Sequence, residues 1–362
     1  MTPIPAAKPP AGGPSMAGAT KTVQVNSIGL AKVDYKGNDS TLCNGCGHDS
    51  ISDKIINVAY ELGIKPEGMI KLSGIGCSSK SPAYFMNRSH GFNTLHGRMP
   101  SVATGALMAN HKLIAIGVSG DGDTGSIGFG QFKHLVRRNV RMVYVIENNG
   151  VYGLTKGQFS ATSDMGAELK HAGTNELPPL DLCLESIIAG CGFVARSFSG
   201  DPKQLTALLK AAFSHRGTAV LDVISPCVTF NNHDSSTKSY AYGRDHDVRI
   251  NDVGYVPPAE AIQLQHEIQE GEIRDVTLHD GSIITLKKSD QSHDPTDKYA
   301  AIKLLGEAQD KQIFVTGLLY VDTQRENLAE LERLGDVALA HMPESRLRPN
   351  PDSLAKIMLG LK

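Results

Sequence analysis

The sequence has no run of apolar residues that approaches the roughly 20 needed to span a bilayer. It also lacks an excess of either charge, since 36 lysines and arginines face 38 aspartates and glutamates in 362 residues. This balance offers neither a basic field for a nucleic acid nor a polybasic patch for a membrane, so the expected partner is a small molecule or a protein. The pattern of a secretory signal is also missing, and we expect a cytoplasmic protein.

Cysteine is scarce, with six residues. In a cytosolic chain of this size, six cysteines argue against a disulfide framework and favour a metal-binding or catalytic use of some of them. Cys43 and Cys46 form a CxxC motif in TLCNGCGHDS, and this spacing suits zinc, an iron–sulfur cluster or a redox-active dithiol. Cys183 and Cys191 lie in or beside a helical pattern rich in Leu and Ile, so we expect them to fill the core.

Hydrophobic periodicity predicts helices that alternate with buried strands from about residue 42 to 227. The segment SISDKIINVAYELG repeats apolar residues at helical spacing, whereas KLIAIGVS, RMVYVIE and TAVLDVIS are near-continuous apolar runs. Such strands are buried on both faces, which is typical of a parallel sheet covered by helices on each side. We therefore predict an α/β fold with a doubly wound parallel sheet.

The two ends of the chain show different patterns. Residues 1–22 are rich in Pro, Ala and Gly, and we expect a disordered N-terminal arm. After Cys227 the alternation fails, and residues 229–247 are polar and loop-like. Residues 272–288 alternate around an Asp-Gly pair, which predicts a hairpin, and residues 326–342 and 353–362 have helical patterns. The division predicted is an arm at 1–22, a main domain at 23–250 and a C-terminal extension at 251–362 that contacts another subunit.

Two predicted strands end in short polar, glycine-containing motifs. GDGD at residues 120–123 follows one strand, and NNG at 148–150 follows another. Ligands of open α/β sheets bind outside the carboxyl ends of the strands, where these motifs converge if the strands are neighbours. Glycine allows close approach of a phosphate, and carboxylate and amide oxygens suit Mg²⁺. The alternative is a pair of ordinary turns.

The spacing of these motifs resembles the signature of thiamine-diphosphate enzymes. Residues 123–147, which are 25 positions, separate GDG from NN, and they are enough for one helix and one strand. The resemblance implies that Mg²⁺ is bound by the side chains of Asp121 and Asn149 and the carbonyl of Val151. It implies that the diphosphate is lined by Gly122, Asp123, Gly153 and Leu154, and that Gly120 and Asp121 also belong to the cofactor-binding residues.

Further motifs narrow the resemblance. CNGCGH, GIGCSSK, HGRMPSVATG, GDGD, RRN, NNGVYGLTKGQ and SPC occur in the order typical of 2-oxoacid:ferredoxin oxidoreductase β subunits, over residues 30–250. The sequence is most similar to the 2-oxoglutarate enzymes, also called 2-oxoglutarate synthases. The fold implied is a doubly wound sheet of the thiamine-diphosphate-binding type with a C-terminal extension, and the domain at 23–250 carries the cofactor and a cluster.

The resemblance also implies a [4Fe-4S] cluster held by Cys43, Cys46, Cys77 and Cys227, which supply the four thiolates that such a cluster needs. A structural zinc site with four cysteine ligands is the alternative. Ligands of that kind usually come as two close pairs, whereas Cys77 and Cys227 are isolated in the sequence.

Several more roles follow from the resemblance alone. Ile75, Gly76, Cys77, Ser78 and His96 would touch the thiamine cofactor, which brings the cluster close to it. Lys156 would bind coenzyme A. The alternatives are a loop histidine that only forms hydrogen bonds and an ordinary exposed lysine. For His48 we expect hydrogen bonds to backbone groups near the start of the first helix.

The activity implied is the thiamine- and coenzyme A-dependent oxidative decarboxylation of a 2-oxo acid to an acyl-CoA and CO2. Electrons would pass singly through the cluster to ferredoxin, and the reverse carboxylation is also implied. The segment SPCVTFN favours 2-oxoglutarate, with pyruvate or a broad range of 2-oxo acids as the alternative.

The resemblance places the glutamate that activates the pyrimidine ring on a separate α subunit. No catalytic group is therefore assigned in this chain, which would be active only in an αβ or (αβ)2 assembly. Two other functions stay open: a non-oxidative thiamine decarboxylase or carboligase that uses Asp121 and Asn149, and a module that keeps the fold and cluster but binds no thiamine.

Overall fold

The structure is a computed structural model, and it describes residues 24–170, 172–258, 273–288, 293–311 and 313–361. The predicted arm at residues 1–22 lies outside these ranges, as do parts of the predicted extension. None of the helices within them is long and apolar enough to cross a membrane.

Helices and strands alternate along much of the chain. The helices are α1 Gly47–Glu61, α2 Met99–Ala109, α3 Phe129–Arg138, α4 Leu182–Ile188, α5 Pro202–Ser214, α6 Tyr240–His246, α7 Lys298–Asp310, α8 Leu328–Leu331, α9 Glu344–Leu347 and α10 Pro351–Gly360. The strands are β1 Met69–Ser73, β2 His90–Asn93, β3 Ile114–Gly120, β4 Met142–Asn148, β5 Val151–Tyr152, β6 Gln158–Phe159, β7 Glu168–Leu169, β8 Gly173–Thr174, β9 Phe193–Phe198, β10 Thr218–Ile224, β11 Asp247–Arg249, β12 Asn251–Val256, β13 Ile273–Thr277, β14 Ile283–Lys288 and β15 Phe314–Val321.

The main sheet has eight strands in the order β11-β15-β9-β10-β4-β3-β1-β2. The six strands from β9 to β2 in this order are parallel, whereas β15 is antiparallel to β9. Helices cover both faces. On β4, Val143 and Val145 pack in the cluster that contains α1 and α5, and Met142, Tyr144 and Ile146 pack in the cluster that contains α2, α3, α4 and α7. The predicted α/β fold is confirmed.

The predicted hairpin around Asp280 is also confirmed. Strands β13 and β14 pair antiparallel, and β14 also pairs with β12 in a three-stranded sheet. Gly281 in the turn has φ 82°, a left-handed conformation that glycine adopts without a steric penalty. The Asp280 side chain accepts a hydrogen bond from the backbone N–H of Ser282 at 2.9 Å, which fixes the turn.

Two expectations for the C-terminal third were wrong or incomplete, and one strand was missed. Residues 229–247 include a helix, α6, whose first turn is capped by Ser239. The helix expected over 326–342 is reduced to α8 and one 3₁₀ turn, because Arg333 has a left-handed φ of 52° that ends the helical path. Strand β15 was not predicted, and it lies in the main sheet. The domain boundary at residue 250 stays a prediction, but part of the predicted extension completes the sheet.

Candidate active site

A cavity opens at the carboxyl ends of β1, β3 and β4, the edge at which the sequence predicts ligand binding. It is lined by every residue for which the resemblance implied a cofactor contact: Ile75, Gly76, Cys77, Ser78, His96, Gly120, Asp121, Gly122, Asp123, Asn149, Val151, Gly153 and Leu154. His48, Glu147, Tyr152 and Thr155 also line it. Segments that are far apart in the sequence therefore meet in one place.

The pairing of β3 with β4 brings the two glycine-containing motifs together. Gly120 and Glu147 are register partners at the ends of these parallel strands, so Asp121 and Asn149 follow at the same edge. The backbone N–H of Asn149 donates to Asp121 Oδ1 at 3.4 Å. The 25-residue spacing contains the helix α3 and the strand β4, as predicted, and also a π-helical turn at Asp123–Ile127 before α3.

The Asp121 carboxylate is buried, with 1% of its surface exposed. Its Oδ2 accepts hydrogen bonds from the hydroxyls of Ser160 and Thr162, the latter at 2.7 Å. Burial raises the pKa of Asp121, and these hydroxyl donors and the Asn149 N–H oppose the rise. The surroundings are neutral donors, so a bound cation would stabilise the ionised form.

The oxygen donors fit Mg²⁺. Asn149 Oδ1 accepts from the Val151 N–H at 3.1 Å, which holds this side chain beside Asp121. Mg²⁺ in phosphate sites typically takes one or two protein ligands, phosphate oxygens and water. Within the described ranges, no three His, Cys, Asp or Glu side chains are grouped so as to hold a single metal ion.

Asp123 connects the loops that surround the cavity. Its Oδ1 accepts from the backbone N–H groups of Gly97 at 2.7 Å and Ile75 at 3.3 Å, and it contacts Nδ1 of His96. Its Oδ2 accepts from the Ser119 hydroxyl at 2.6 Å. A single buried carboxylate therefore fixes the positions of the Ile75 loop and of His96.

Glycine is required at position 122 because the Tyr152 ring lies close to its backbone. A Cβ atom at this position would lie 2.5 Å from the ring of Tyr152, which is too short for any real contact. The Tyr152 hydroxyl donates to the Gly122 carbonyl at 2.9 Å, and the ring lies edge-on to His96 with centroids 6.0 Å apart. Only glycine lets the Tyr152 ring occupy this wall of the cavity.

A buried polar network beneath the cavity was missed by the sequence analysis. Ser81 donates to both oxygens of Glu147, at 2.9 and 3.0 Å, and burial raises the Glu147 pKa well above its usual value. His48 Nδ1 lies 2.6 Å from the Ser225 hydroxyl, and burial lowers the His48 pKa to about 4. The expectation that His48 satisfies backbone groups was wrong, because its partner is a side chain.

The four cysteines that resemble cluster ligands occupy adjoining loops. A Cβ atom on Gly153 would lie 3.6 Å from the sulfurs of both Cys77 and Cys227, so these two thiols face the same backbone position. The Thr229 hydroxyl, two residues after Cys227, donates to the Cys43 sulfur at 3.6 Å. Cys46 and Cys43 are joined by a backbone hydrogen bond of 3.0 Å. All are free thiols.

The pKa values of Cys46 and Cys77 are influenced by the other cysteines of the set, because these lie nearby. Burial raises the pKa of Cys46 to about 12, and the charges of Glu147 and Cys227 add to this. Burial also raises the pKa of Cys77, and Cys227 and Cys43 raise it further. A thiolate cluster is therefore unfavourable unless cations or iron neutralise it, and the donor set fits a [4Fe-4S] cluster, whose four irons each take one ligand.

The remaining predicted residues are separate from this site. Cys183 and Cys191 are fully buried in the core, which confirms the expectation for them. Lys156 is exposed in the turn after Thr155, with φ 73°, and does not line the cavity. Its role in coenzyme A binding stays a prediction.

The residues that sequence reasoning missed carry no local signal. Ser160 and Thr162 lie about 40 positions after Asp121, in the segment SATS, where hydroxyl residues are ordinary. Glu147 ends an apolar strand pattern, and only its burial marks it as unusual. Tyr152 was the one that could have been found, since it stands inside the NNGVYG motif.

Comparison with known proteins agrees with this geometry. Residues 74–223 match the family described as "Thiamine pyrophosphate enzyme, C-terminal TPP binding domain". The chain is 41% identical over 202 residues to the 2-oxoacid:ferredoxin oxidoreductase subunit beta of Saccharolobus solfataricus, which is 55% of this chain and 65% of that protein. It is 37% identical to the 2-oxoglutarate synthase subunit KorB of Methanocaldococcus jannaschii, over 52% of this chain and 69% of that protein.

A solved structure is similar over nearly the whole chain. The 2-oxoglutarate:ferredoxin oxidoreductase from Magnetococcus marinus, solved with 2-oxoglutarate, coenzyme A and succinyl-CoA bound, superposes with a TM-score of 0.70 at 30% identity. The match covers 93% of this chain and 99% of that one. By sequence, the matched region spans just under two thirds of the Saccharolobus protein.

Proposed function

Because this chain belongs to the family of 2-oxoacid:ferredoxin oxidoreductase β subunits, we propose that it binds thiamine diphosphate and Mg²⁺ in an enzyme that oxidatively decarboxylates 2-oxoglutarate. The products are succinyl-CoA and CO2, and the electrons leave one at a time through a [4Fe-4S] cluster to ferredoxin. One observation carries the proposal: Cys77 lines the cofactor cavity and also faces Cys227 across Gly153. A cluster held by these sulfurs would therefore lie directly beside the bound cofactor.

The chain's own residues account for binding and orientation. Thiamine diphosphate, when bound, supplies the centre that stabilises the carbanion left by decarboxylation. Asp121, Asn149 and the Val151 carbonyl hold the Mg²⁺ diphosphate, with Ser160 and Thr162 fixing the Asp121 carboxylate. Asp123 positions His96 at the cavity wall.

The four thiols of Cys43, Cys46, Cys77 and Cys227 hold the cluster. All except Cys43 are partly buried, so a cluster held by them would be partly shielded from water, and Cys77 also lines the cofactor cavity. Because the pKa values of Cys46 and Cys77 are raised, the cluster would have to displace the thiol protons when it binds.

An α subunit completes the site. All three carboxylates that line the cavity already have partners: Asp121 with hydroxyls, Asp123 with backbone N–H groups, and Glu147 with Ser81. None is free to activate a pyrimidine ring. Leu154 lines the cavity and is 48% exposed, and Leu95, which precedes the lining residue His96 in the sequence, is 78% exposed. A protein surface is the fitting partner for such exposed apolar side chains.

The test is an anaerobic assay of the chain purified together with its α subunit. We expect coenzyme A-dependent reduction of ferredoxin or viologen with 2-oxoglutarate, slower reduction with pyruvate and branched-chain 2-oxo acids, and none from either subunit alone. Release of CO2 without acceptor reduction would instead indicate a non-oxidative decarboxylase. Absence of coenzyme A-dependent reduction with every 2-oxo acid would overturn the proposal.

A further inference from the structure

A second cavity lies at the opposite ends of the strands of the main sheet, beside the amino ends of β3 and β4. It has a volume of about 590 Å³, within the range of small-molecule sites. Its walls are the last turns of α2, the residues that precede β4, and the segment 327–334 that contains α8. The cofactor cavity opens at the other ends of the same strands, so the two are separated by the length of the sheet.

The C-terminal wall of this cavity is firmly attached. Asn139 ends α3 in a left-handed conformation and is fully buried. Its side-chain amide donates to the carbonyls of Glu326 at 3.0 Å and Arg325 at 3.3 Å, and its own backbone carbonyl accepts from the Leu328 N–H at 3.3 Å. These hydrogen bonds fix the segment that contains α8, so this wall of the cavity has a defined position.

Three cations line the cavity: Lys112, Arg141 and Arg333. In the part of the chain that the structure describes, no ion pair involves any of their side chains. The single carboxylate in the lining is Glu330, and its Oε2 already accepts from the Asn327 N–H at 2.9 Å in the cap of α8. The cavity thus has an excess of positive charge.

The Arg141 side chain is exposed, as are those of Lys112 and Arg333. Desolvation by the surrounding residues lowers the Arg141 pKa, and the nearby charge of Arg216 lowers it further, whereas Glu330 and Asp280 act in the opposite direction without reversing the shift. The repulsion between the two guanidinium groups is therefore only partly offset by carboxylates. A bound anion would relieve this repulsion.

The other lining groups indicate that the ligand has an apolar part as well as an anionic group. His111 lines the cavity and adds a polar ring to it, and within the described residues its buried Nδ1 has no hydrogen-bond partner. Leu107, Met108 and Val140 provide an apolar floor. An inorganic anion would leave this floor unused, and a fatty acid would use only one of the three cations.

We propose that this cavity binds a nucleoside phosphate. The phosphate oxygens lie among Lys112, Arg141 and Arg333, and the nucleoside packs on the apolar floor with His111 at a polar edge. The ligand is distinct from the coenzyme A of the proposed reaction, because the site is at the opposite end of the strands. This inference does not depend on the proposed function.

The test is calorimetric titration of the full chain with ADP, in complex with its α subunit and with thiamine diphosphate present in excess. Coenzyme A is left out, because its own adenosine phosphate would compete for the cavity, and ADP bound at the coenzyme A site would not respond to the cavity variants. We expect one ADP site, with pyrophosphate and adenosine each binding about tenfold more weakly or worse. No heat with ADP up to millimolar concentration, or equal affinity for pyrophosphate and ADP, would overturn the proposal.

Variants locate the site. Arg141→Met and Lys112→Met should each weaken ADP binding by about tenfold or more, since each removes a charge-assisted contact. Lys303→Met is the matched control, because Lys303 is an exposed lysine on α7, outside the cavity lining. Thermal unfolding checks that each variant is folded. Folded Arg141→Met and Lys112→Met proteins that bind ADP as tightly as Lys303→Met would contradict the assignment.

Discussion

At the scale of single residues, Gly122 is the most sensitive backbone position of the cofactor cavity. In Gly122→Ala the new methyl group would meet the Tyr152 ring at 2.5 Å, so the ring must leave the wall it now forms. We expect thiamine diphosphate to bind about tenfold more weakly, and the free energy of unfolding to fall by about 1–3 kcal/mol, as for an overpacked site. Calorimetric titration and denaturant unfolding measure the two effects.

Gly130→Ala is the matched control for this change. Gly130 is an exposed residue of α3, and a Cβ atom there would meet no other atom within 4 Å, so alanine should stabilise the helix by about 0.5–1 kcal/mol. Cofactor affinity should stay unchanged. Equal affinity in the two variants would mean that Tyr152 does not shape the site.

His215 is expected to contribute to the decrease of the free energy of unfolding at acidic pH. Its ring is 3% exposed, and neither nitrogen has a hydrogen-bond partner among the described residues. Burial, followed by the charges of His279 and Arg141, lowers the pKa to about 3. Because the unfolded chain binds this proton more readily, stability is complete above about pH 6.5 and falls as the pH decreases below it. At pH 5 the loss from this group is about 2 kcal/mol.

His215→Leu should remove that dependence. Leucine fills much of the same buried space and has no polar atoms to leave unpaired. The measurement is the free energy of unfolding at pH 7 and pH 5 for both proteins. We expect a smaller decrease between the two pH values in the variant, and an identical decrease would show that His215 is protonated in the folded state.

At the scale of secondary-structure elements, Arg196 on β9 joins three of them. Its guanidinium contacts Asp181, which caps α4, at 2.7 Å, and Asp222 on β10 at 3.1 Å. Burial alone would raise the pKa of Asp181, but the Arg196 charge and hydrogen bonds hold it below its usual value. Arg196→Met leaves two buried carboxylates unpaired and should lower the free energy of unfolding by about 3–5 kcal/mol at pH 7.

The pH dependence identifies the cause. With the cation gone, burial would raise the pKa of Asp181, so the deficit of Arg196→Met should shrink as the pH falls from 7 toward 4. Arg348→Met serves as control, since its exposed pair with Glu344 contributes well under about 1 kcal/mol. A deficit that does not change with pH would indicate lost packing instead of unpaired charge.

The elements that the sequence predicts are those with an unbroken periodic signal. The predicted strands over 114–120, 142–148 and 218–224 are each present, with seven residues that are mostly apolar. Strand β15 carries the same signal in FVTGLLYV, but its position in the sheet depends on a pairing with β9, more than a hundred residues earlier, that no local pattern contains. The helix pattern at 326–342 is interrupted at Arg333, whose left-handed φ of 52° ends the helical path.

At the scale of the whole molecule, motifs spread over more than a hundred residues meet at one edge of the sheet. The glycine-containing motifs could be located from the sequence because their chemistry is local. The hydroxyls that hold Asp121 and the Ser81–Glu147 pair could not, because only the folded chain brings them into contact. The cavity with three cations could not be predicted from the sequence either, because it forms between α2 and a segment near the C-terminus.

The central claim is that one structure holds thiamine diphosphate at Asp121 and a [4Fe-4S] cluster at Cys227. Anaerobic protein, as purified with its α subunit, is compared with Asp121→Ala and Cys227→Ala by calorimetric titration with thiamine diphosphate and Mg²⁺ and by visible absorbance. We predict that Asp121→Ala loses thiamine diphosphate binding and keeps the broad cluster absorbance, whereas Cys227→Ala does the reverse. Loss of both properties in either folded variant, or of neither property in both, would contradict the account.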